Sequence, residues 1–238
     1  MNDEKVSPAV LSPRSETRES GANSLIESLS IRRAEATDLD ELAYLANLAD
    51  GETLLFVAKG LTPMADPLAI YRDMIADPTG MYACRNCLVA ELDGKIVGFA
   101  NAFSAQLIEN ELIGVNLTAH EKHLLARTDL NDPHSYLLNN IAVMPAYQRW
   151  RIGTQLLEAV VAEARAQSFS SITLHVWADN TQAIAFYQKF GFRKDRHAAI
   201  PWHPELPHVG GSFLLRLSIN PMYREQVSAQ SPKVRPAC

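Results

Sequence analysis

The run from Tyr136 to Trp177 restricts the fold more than any other part of the chain. Tyr136 to Val143 is an apolar strand stopped by Pro145, and Gly153 to Gln167 carries Leu156, Leu157, Val160 and Ala164 on one helical face. Ile172, Leu174 and Val176 then alternate with Thr173, His175 and Trp177, the period of a second strand. Strand, helix and strand in this order imply a parallel pair. The rest reads as antiparallel: Leu88 to Leu92 and Ile96 to Phe103 flank Asp93-Gly94, a strong hairpin signal. Ser30 to Ala34 predicts a first strand. Thr37 with Asp40 makes a capping-box-like start for a helix carrying Leu39, Leu42, Ala43 and Ala46, and Asp66-Pro67 starts another that stops before Pro78. Asp179 to Phe190, with Ala183, Ile184, Tyr187 and Phe190 on one stripe, is a helix closed by Gly191, and Phe192 to Ile200 and Phe213 to Ile219 finish the set. The order β-α-α-β-β-β-α-β-α-β-β predicts an α/β protein of α+β type: a mixed, mostly antiparallel sheet with a central parallel pair, flanked by helices.

The 238 residues, 47% hydrophobic and 21% charged, suffice for one soluble globular domain, expected over residues 31–220. Residues 1–28, with Pro8 and Pro13, and 221–238, with Pro221, Pro232 and Pro236, are expected to be disordered arms. Twenty-two basic against 27 acidic residues leave a net charge of −5, which argues against a nucleic-acid carrier and suits cationic small molecules. Asn2, Asp3, Glu4 and Lys5 follow Met1, and no 18 uncharged apolar residues occur in succession, so the expected location is the cytoplasm, without a membrane partner. Cys84 and Cys87 have redox or zinc spacing but lack a second pair, and read as two thiols near the start of a strand. Cys238, the last residue, is no prenylation box, and the Asn116-Leu117-Thr118 sequon carries no meaning in a chain that is not secreted.

The chemistry concentrates between Ile141 and Leu157. A buried strand ends at a proline, and a short polar loop with Gln148, Arg149, Trp150 and Arg151 leads into a helix near Gly153. Such a loop aims unpaired N–H groups and a helix N-terminus at one spot, and two arginines add cationic side chains suited to a pyrophosphate. The plain alternative is a strand-to-helix turn with two solvated arginines.

Here the sequence resembles the GNAT (Gcn5-related) N-acetyltransferases, whose loop signature Q/R-x-x-G-x-G/A appears as Gln148-x-x-Arg151-x-Gly153-Thr154, preceded by Ile141-Ala142-Val143-Met144-Pro145. Asn180-Thr181-x-Ala183-x-x-Phe186-Tyr187-x-Lys189-x-Gly191-Phe192 is similar to the family's second cofactor segment. The resemblance covers residues 31–220 and implies the GNAT acyl-CoA N-acyltransferase fold with acetyl-CoA as co-substrate. It implies that the backbone of Ile141, Ala142 and Val143 pairs with pantetheine amides, and that Gln148, Arg149, Trp150, Arg151, Ile152, Gly153 and Thr154 wrap the pyrophosphate. Asn180 would bond the pantetheine arm, with a helix cap as its alternative reading. Tyr187 would stand near the thioester as general acid, with a core aromatic as its alternative. The oxyanion donor is expected from the backbone near Val143. Arg151 departs from the family's glycine. It implies either a strained left-handed residue or a right-handed loop that offers its guanidinium to a phosphate.

By the same resemblance the reaction is acetyl transfer to a primary amine of a small molecule by direct attack on the thioester. The alternatives are a catalytically degenerate acyl-CoA sensor and an acetyltransferase of a protein or peptide amine. The family often places a carboxylate base on the fourth strand, but Tyr136-Leu137-Leu138-Asn139-Asn140 has none; Asn139 is the strand's candidate for orienting a water or substrate. The ionisable candidates are His134, Glu109 and Glu111, the glutamates within an insert, 105–134, that is long and net acidic like a lid or recognition loop. Neither His120-Glu121-Lys122-His123 nor His203-x-x-x-x-His208 has a His-Glu-x-x-His spacing, and no metal is expected. Acetyl-CoA and a small amine acceptor are the expected partners, with homodimer formation open and no nucleic acid.

Overall fold

The computed structural model describes residues 28–62, 64–111 and 116–219, so both expected arms, apart from Ser28, lie outside the described residues. Within them β1 (Leu29–Arg33) is followed by α1 (Leu39–Asp50), α2 (Thr53–Lys59) and α3 (Pro67–Ala76). The hairpin β2 (Cys87–Leu92) and β3 (Lys95–Ser104) leads into three short helices, α4 (Gln106–Glu111), α5 (Ala119–His123) and α6 (Leu125–Thr128). Then come β4 (Tyr136–Val143), α7 (Ile152–Ala166), β5 (Ser171–Trp177), α8 (Thr181–Phe190), β6 (Arg193–Ala198) and β7 (Ser212–Ser218). The sheet has seven strands in the order β1-β2-β3-β4-β5-β7-β6; β4 and β5 are parallel and every other pair is antiparallel.

Local chemistry explains most boundaries. Asp93 (φ 51°) and Gly94 (φ 72°) both take the positive φ of a two-residue hairpin turn. Asp66 caps α3 by accepting the Leu68 N–H, with Pro67 in the first turn. The cap before α1 differs from the expected Thr37 and Asp40. Asp38 accepts the Glu35 N–H at 2.8 Å and holds Arg32 at 2.7 Å, whereas Asp40 pairs with Arg72. Helix α2 was not foreseen. Gly51 (φ 61°) and Glu52 (φ 67°) turn left-handed after α1, and the Asp50 carboxylate restarts the helix by accepting the Leu54 N–H.

Two cores lie on opposite faces. Helices α7 and α8 cover one, where Leu156, Leu157, Val160 and Ile184 pack on Leu138, Ile172 and Leu174. Helices α1 and α3 cover the other, with Leu42, Leu45, Tyr71 and Ile75 against Val89 and Phe99. Gly98 permits the close approach of α7, since a Cβ there would stand 3.0 Å from the Ala142 carbonyl and 3.2 Å from Leu156.

Candidate active site

Strands β4 and β5 pair only at Tyr136 with Ile172 and Leu137 with Thr173, then diverge. On the β3 side β4 stays paired: Gly98 faces Val143, and the Met144 N–H bonds the Val97 carbonyl at 2.8 Å. Antiparallel alternation then turns the N–H and C=O of Ile141 and Val143 away from β3, into the fork. The Gln148 side chain already uses one of these groups, donating to the Val143 carbonyl at 3.3 Å. The fork therefore exposes a length of strand edge that an extended amide chain can pair with.

On the α7 side, the loop from Gln148 to Gly153 contains two non-glycine residues in the left-handed region, Arg149 (φ 68°) and Arg151 (φ 63°). This decides the question raised by Arg151: the left-handed form is taken, at a cost of about 1–2 kcal/mol. The N–H groups of Arg149, Trp150, Arg151, Ile152 and Gly153 find no acceptor in the described residues, while Thr154 bonds back to the Arg151 carbonyl at 3.0 Å. Five successive free donors at the N-terminus of a long helix have the arrangement that anions are bound by in proteins. Both arginine side chains are exposed, Trp150 lies edge-on to Tyr147, and the Ile152 side chain is core, so Ile152 offers the loop only its backbone. Gly153 is required neither by its conformation nor by internal packing, because a Cβ would meet Phe186 at 3.5 Å and Val143 at 3.7 Å, ordinary contacts.

Asn180 caps α8: its Oδ1 accepts the Ala183 N–H at 3.0 Å, which leaves the side-chain NH₂ for a ligand. Tyr187 packs on the same apolar cluster as Ile141 and Val143, against Phe186 and Phe192. Burial pushes its phenol above the usual range, and the hydroxyl bonds no described residue.

The opposite face is built from side chains. The β3–β4 register slips between Asn101 and Ala102, so Asn139 is an extra residue in β4 and lies with Asn140 towards α1 and α3. Tyr82 donates to Asn140 at 2.7 Å and Asn139 donates to Asn101 at 2.9 Å. Here a cavity of about 90 Å³ is lined by Asn139, His175, Leu137, Leu138, Ile108 and Arg127. Arg127 comes from α6 in the insert and lies over the Trp177 ring at 5.2 Å; Trp177 is fixed by donating to Thr53 at 3.0 Å and by stacking on His208. Burial and the charges of Arg127 and Arg196 push His175 down to about 3, so its imidazole is neutral. Asp50, at the end of α1, is pushed up by burial, against the opposing pull of the Leu54 N–H bond and the Arg127 charge.

A family model described as the Acetyltransferase (GNAT) family matches residues 62–192, which span the fork, the loop and the helices on both sides. The chain belongs to that family. Among curated proteins, the chain is 30% identical over 125 residues to a probable N-acetyltransferase camello of Xenopus tropicalis, covering 52% of this chain and 45% of that one. It is 42% identical over 57 residues to the [Ribosomal protein bS18]-alanine N-acetyltransferase of Escherichia coli, covering 24% and 38%. The matches thus span less than half the length of these relatives. Of solved structures, one described as an acetyltransferase superposes with TM-score 0.56 at 20% identity over 80% of this chain and 100% of its own. An N-acetyltransferase from Staphylococcus aureus Mu50 does so with TM-score 0.55 at 19% identity over 79% and 100%. These likenesses establish the GNAT fold.

Other sequence candidates fall elsewhere on this GNAT domain. His134 is exposed beside Asp132, and Glu109 is exposed beside Gln106; neither lines the cavity. The Glu111 side chain lies outside the described residues. The acidic insert sends a cation, not a carboxylate, into the site, while its Glu121 serves a capping box and its Asp132 pairs with Arg216 at 2.8 Å. Burial raises both the Cys84 and Cys87 thiols, the latter to about 12, which leaves little nucleophilic thiolate. Histidines that no sequence spacing connected do converge: His120 reaches Glu205 at 3.2 Å with His203 alongside, and Lys59 stands 3.6 Å from the same carboxylate. The His120–Glu205 hydrogen bond ties the insert to the β6–β7 connection, and Lys59 adds an ion pair from α2. Asp50, Arg127 and His175 escaped sequence reading altogether, since nothing local distinguishes them from a helix end, a loop cation and a strand's polar face.

Proposed function

We propose that this chain, as one catalytic domain over 31–220 working in the cytoplasm, is an acetyl-CoA-dependent N-acetyltransferase that transfers the acetyl group to a primary amine of a small molecule. The observation that carries the reading is the β4–β5 fork, with a row of free amides on one face and a small, partly open polar cavity on the other. A phosphorylated thioester and an amine entering from opposite faces would meet at the divergence, as direct transfer requires. Family membership supports the reaction class. The small cavity supports a small acceptor; the bS18-alanine enzyme is named for a protein substrate, but the short match to it does not carry that acceptor over.

The amine must be neutral to attack, and an alkylammonium of pKa near 10.4 is neutral in only about one molecule in ~2,500 at pH 7, a cost of ~4.6 kcal/mol. Asp50, its carboxyl raised by burial, is the proton acceptor behind Arg127. His175, pushed down to about 3, is too weak a base for that task and instead offers the amine a neutral hydrogen-bond partner on the cavity wall. Tyr187, kept protonated by burial, is the donor for the departing thiolate on the other face. Asn139, on the cavity wall, orients the acceptor or a water.

Release of free thiol from acetyl-CoA in the presence of polyamines, amino acids, aminoglycosides and peptide N-termini tests this reading. Turnover on a small amine is expected. Tight acetyl-CoA binding with no turnover on any acceptor would replace the enzyme with a sensor.

A further inference from the structure

The acceptor cavity holds two buried polar atoms without partners, Arg127 Nε and His175 Nε2. Buried donors and acceptors in native proteins are paired in the great majority of cases, so a half-buried arginine whose Nε is shut away from water without an acceptor lacks a partner. The guanidinium donates to no described residue. Asp50 is the anion that acts on it electrostatically, but that carboxylate is engaged by the Leu54 N–H. Trp177 beneath the guanidinium holds it in place, so the cation is positioned for something the protein itself does not supply.

Resting on the acetyltransferase reading above, we propose that the acceptor is an α-amino acid or close analogue. Its carboxylate is bound by Arg127, and its amine lies beside His175 and Asn139. A planar guanidinium fork matches a carboxylate bidentately, which an ammonium-only acceptor cannot use. The unpartnered His175 Nε2 has room for a polar partner and, with the ring proton on Nδ1, accepts an N–H of the amine. Size agrees as well. A cavity of 150 Å³ admits a six-atom aromatic ring, so about 90 Å³ admits a head group of about four or five atoms, an amine and a carboxylate on one carbon. The side chain would then point out of the cavity, towards the insert. The net negative charge of the chain says nothing of this, because one buried cation outweighs distant surface carboxylates screened by salt.

The test compares the common free α-amino acids, their methyl esters, the matching decarboxylated amines, and peptides with the same N-terminal residue. Two readouts are used: thiol release from acetyl-CoA, and calorimetric binding of the acceptor alone. At least one amino acid is expected to show kcat/KM about 100-fold or more above its ester and its decarboxylated amine. Arg127→Met should erase that preference by lowering the amino acid alone, and Arg127→Lys should restore part of it. Arg127→Met breaks no side-chain hydrogen bond to a described residue but takes from Asp50 the cation that acts on it. Thermal unfolding of both variants therefore checks that they fold, and Arg127→Lys, which keeps the charge, carries the test if the methionine variant does not. Equal turnover of acid, ester and amine by the wild type would overturn the proposal, and so would turnover of the peptides in preference to the free acids. Calorimetric binding of the acids with no thiol release, lost in Arg127→Met, would leave the carboxylate site standing and remove the acetyltransferase reading. Turnover of simple amines without binding of any acid would do the reverse.

Discussion

The two faces of the fork are made in opposite ways. On the α7 side, the anion site is a contiguous stretch of main chain whose donors at Arg149 to Gly153 are left over by helix geometry, and its arginines stay in solvent. On the α1 side, the cavity is assembled from β4, β5, α4 and α6, with Asp50 of α1 acting at a distance, and its polar side chains are half-buried, with Arg127 Nε and His175 Nε2 shut away from water. A site of backbone donors asks little of most side chains, and what it costs is local backbone strain, as at left-handed Arg149 and Arg151. A site of buried side chains costs stability and gains selectivity, because an ill-fitting acceptor leaves a desolvated charge unmatched. Under the proposed function the difference would suit two substrates, one phosphorylated handle on the first face and one particular amine on the second.

The sharpest way to break this division is at Tyr187, the group of the α8 side closest in kind to the chemistry. If the phenol protonates the thiolate, Tyr187→Phe keeps the ring packing against Phe186 and Phe192 and removes the proton alone. Single-turnover rates at saturating acetyl-CoA should fall by ~10²- to 10⁴-fold with coenzyme affinity nearly unchanged. A near-normal rate would assign Tyr187 to the core and move the acid elsewhere.

The cost of the acceptor face is visible in acid. His175 is held neutral down to about pH 3 in the folded chain, against about 6.5 when unfolded, so between those values the unfolded state binds the extra proton. Stability contributed by this group is therefore present above pH 6.5 and lost as pH falls towards 3, by an amount on the order of a few kcal/mol. Urea unfolding of wild type and His175→Gln from pH 7 to about pH 4 should show a shallower loss in the variant. Parallel curves would mean that water reaches the imidazole.

What the sequence disclosed follows the same line between local and long-range structure. Strand β4 and the Asp93-Gly94 turn lie where their residues predict, because hydrophobic runs and positive-φ turns are decided by neighbours in the chain. The strand-to-helix loop before α7 was legible for the same reason. Helix α2 was not, since its start depends on Gly51 and Glu52 turning left-handed and on the Asp50 cap. The cavity was not legible at all. Thr173 and His175 sit on the polar side of an alternating strand, which ordinarily faces solvent; here Thr173 is buried against Ser135 and His175 lies under the insert. The slip at Asn139 is equally silent, because it turns two polar residues to one face without any turn residue to announce it.

The coenzyme face makes its own prediction through Gly153. A Cβ at that position meets nothing closer than 3.5 Å, and the residue has no positive φ, so only a ligand approaching the backbone would require glycine there. Gly153→Ala should leave the fold intact or stabilise it by about 0.5–1 kcal/mol, the helical preference for alanine, while weakening acetyl-CoA. Gly153→Asp adds an anion to an anion site and should lower affinity at least about tenfold by calorimetry. Unchanged affinity in a folded Gly153→Asp protein would remove the loop from the coenzyme site.

The smallest effect expected is at Arg151, and it separates strain from binding. The left-handed backbone is already present at φ 63°, so glycine would relax the residue without offering the loop a new shape. Relief of about 1–2 kcal/mol is largely offset by the extra freedom of glycine in the unfolded chain, and Arg151→Gly should gain ~0.5 kcal/mol in urea unfolding. Affinity for acetyl-CoA should not rise with it. The exposed guanidinium contributes a salt-screened attraction to a phosphate, so its loss should weaken binding about two- to fivefold at low ionic strength and less as salt is added. A gain in affinity would mean that arginine obstructs the approach of the pyrophosphate. The free backbone amides would then carry the whole of the anion site, and the two faces of the fork would differ more sharply still.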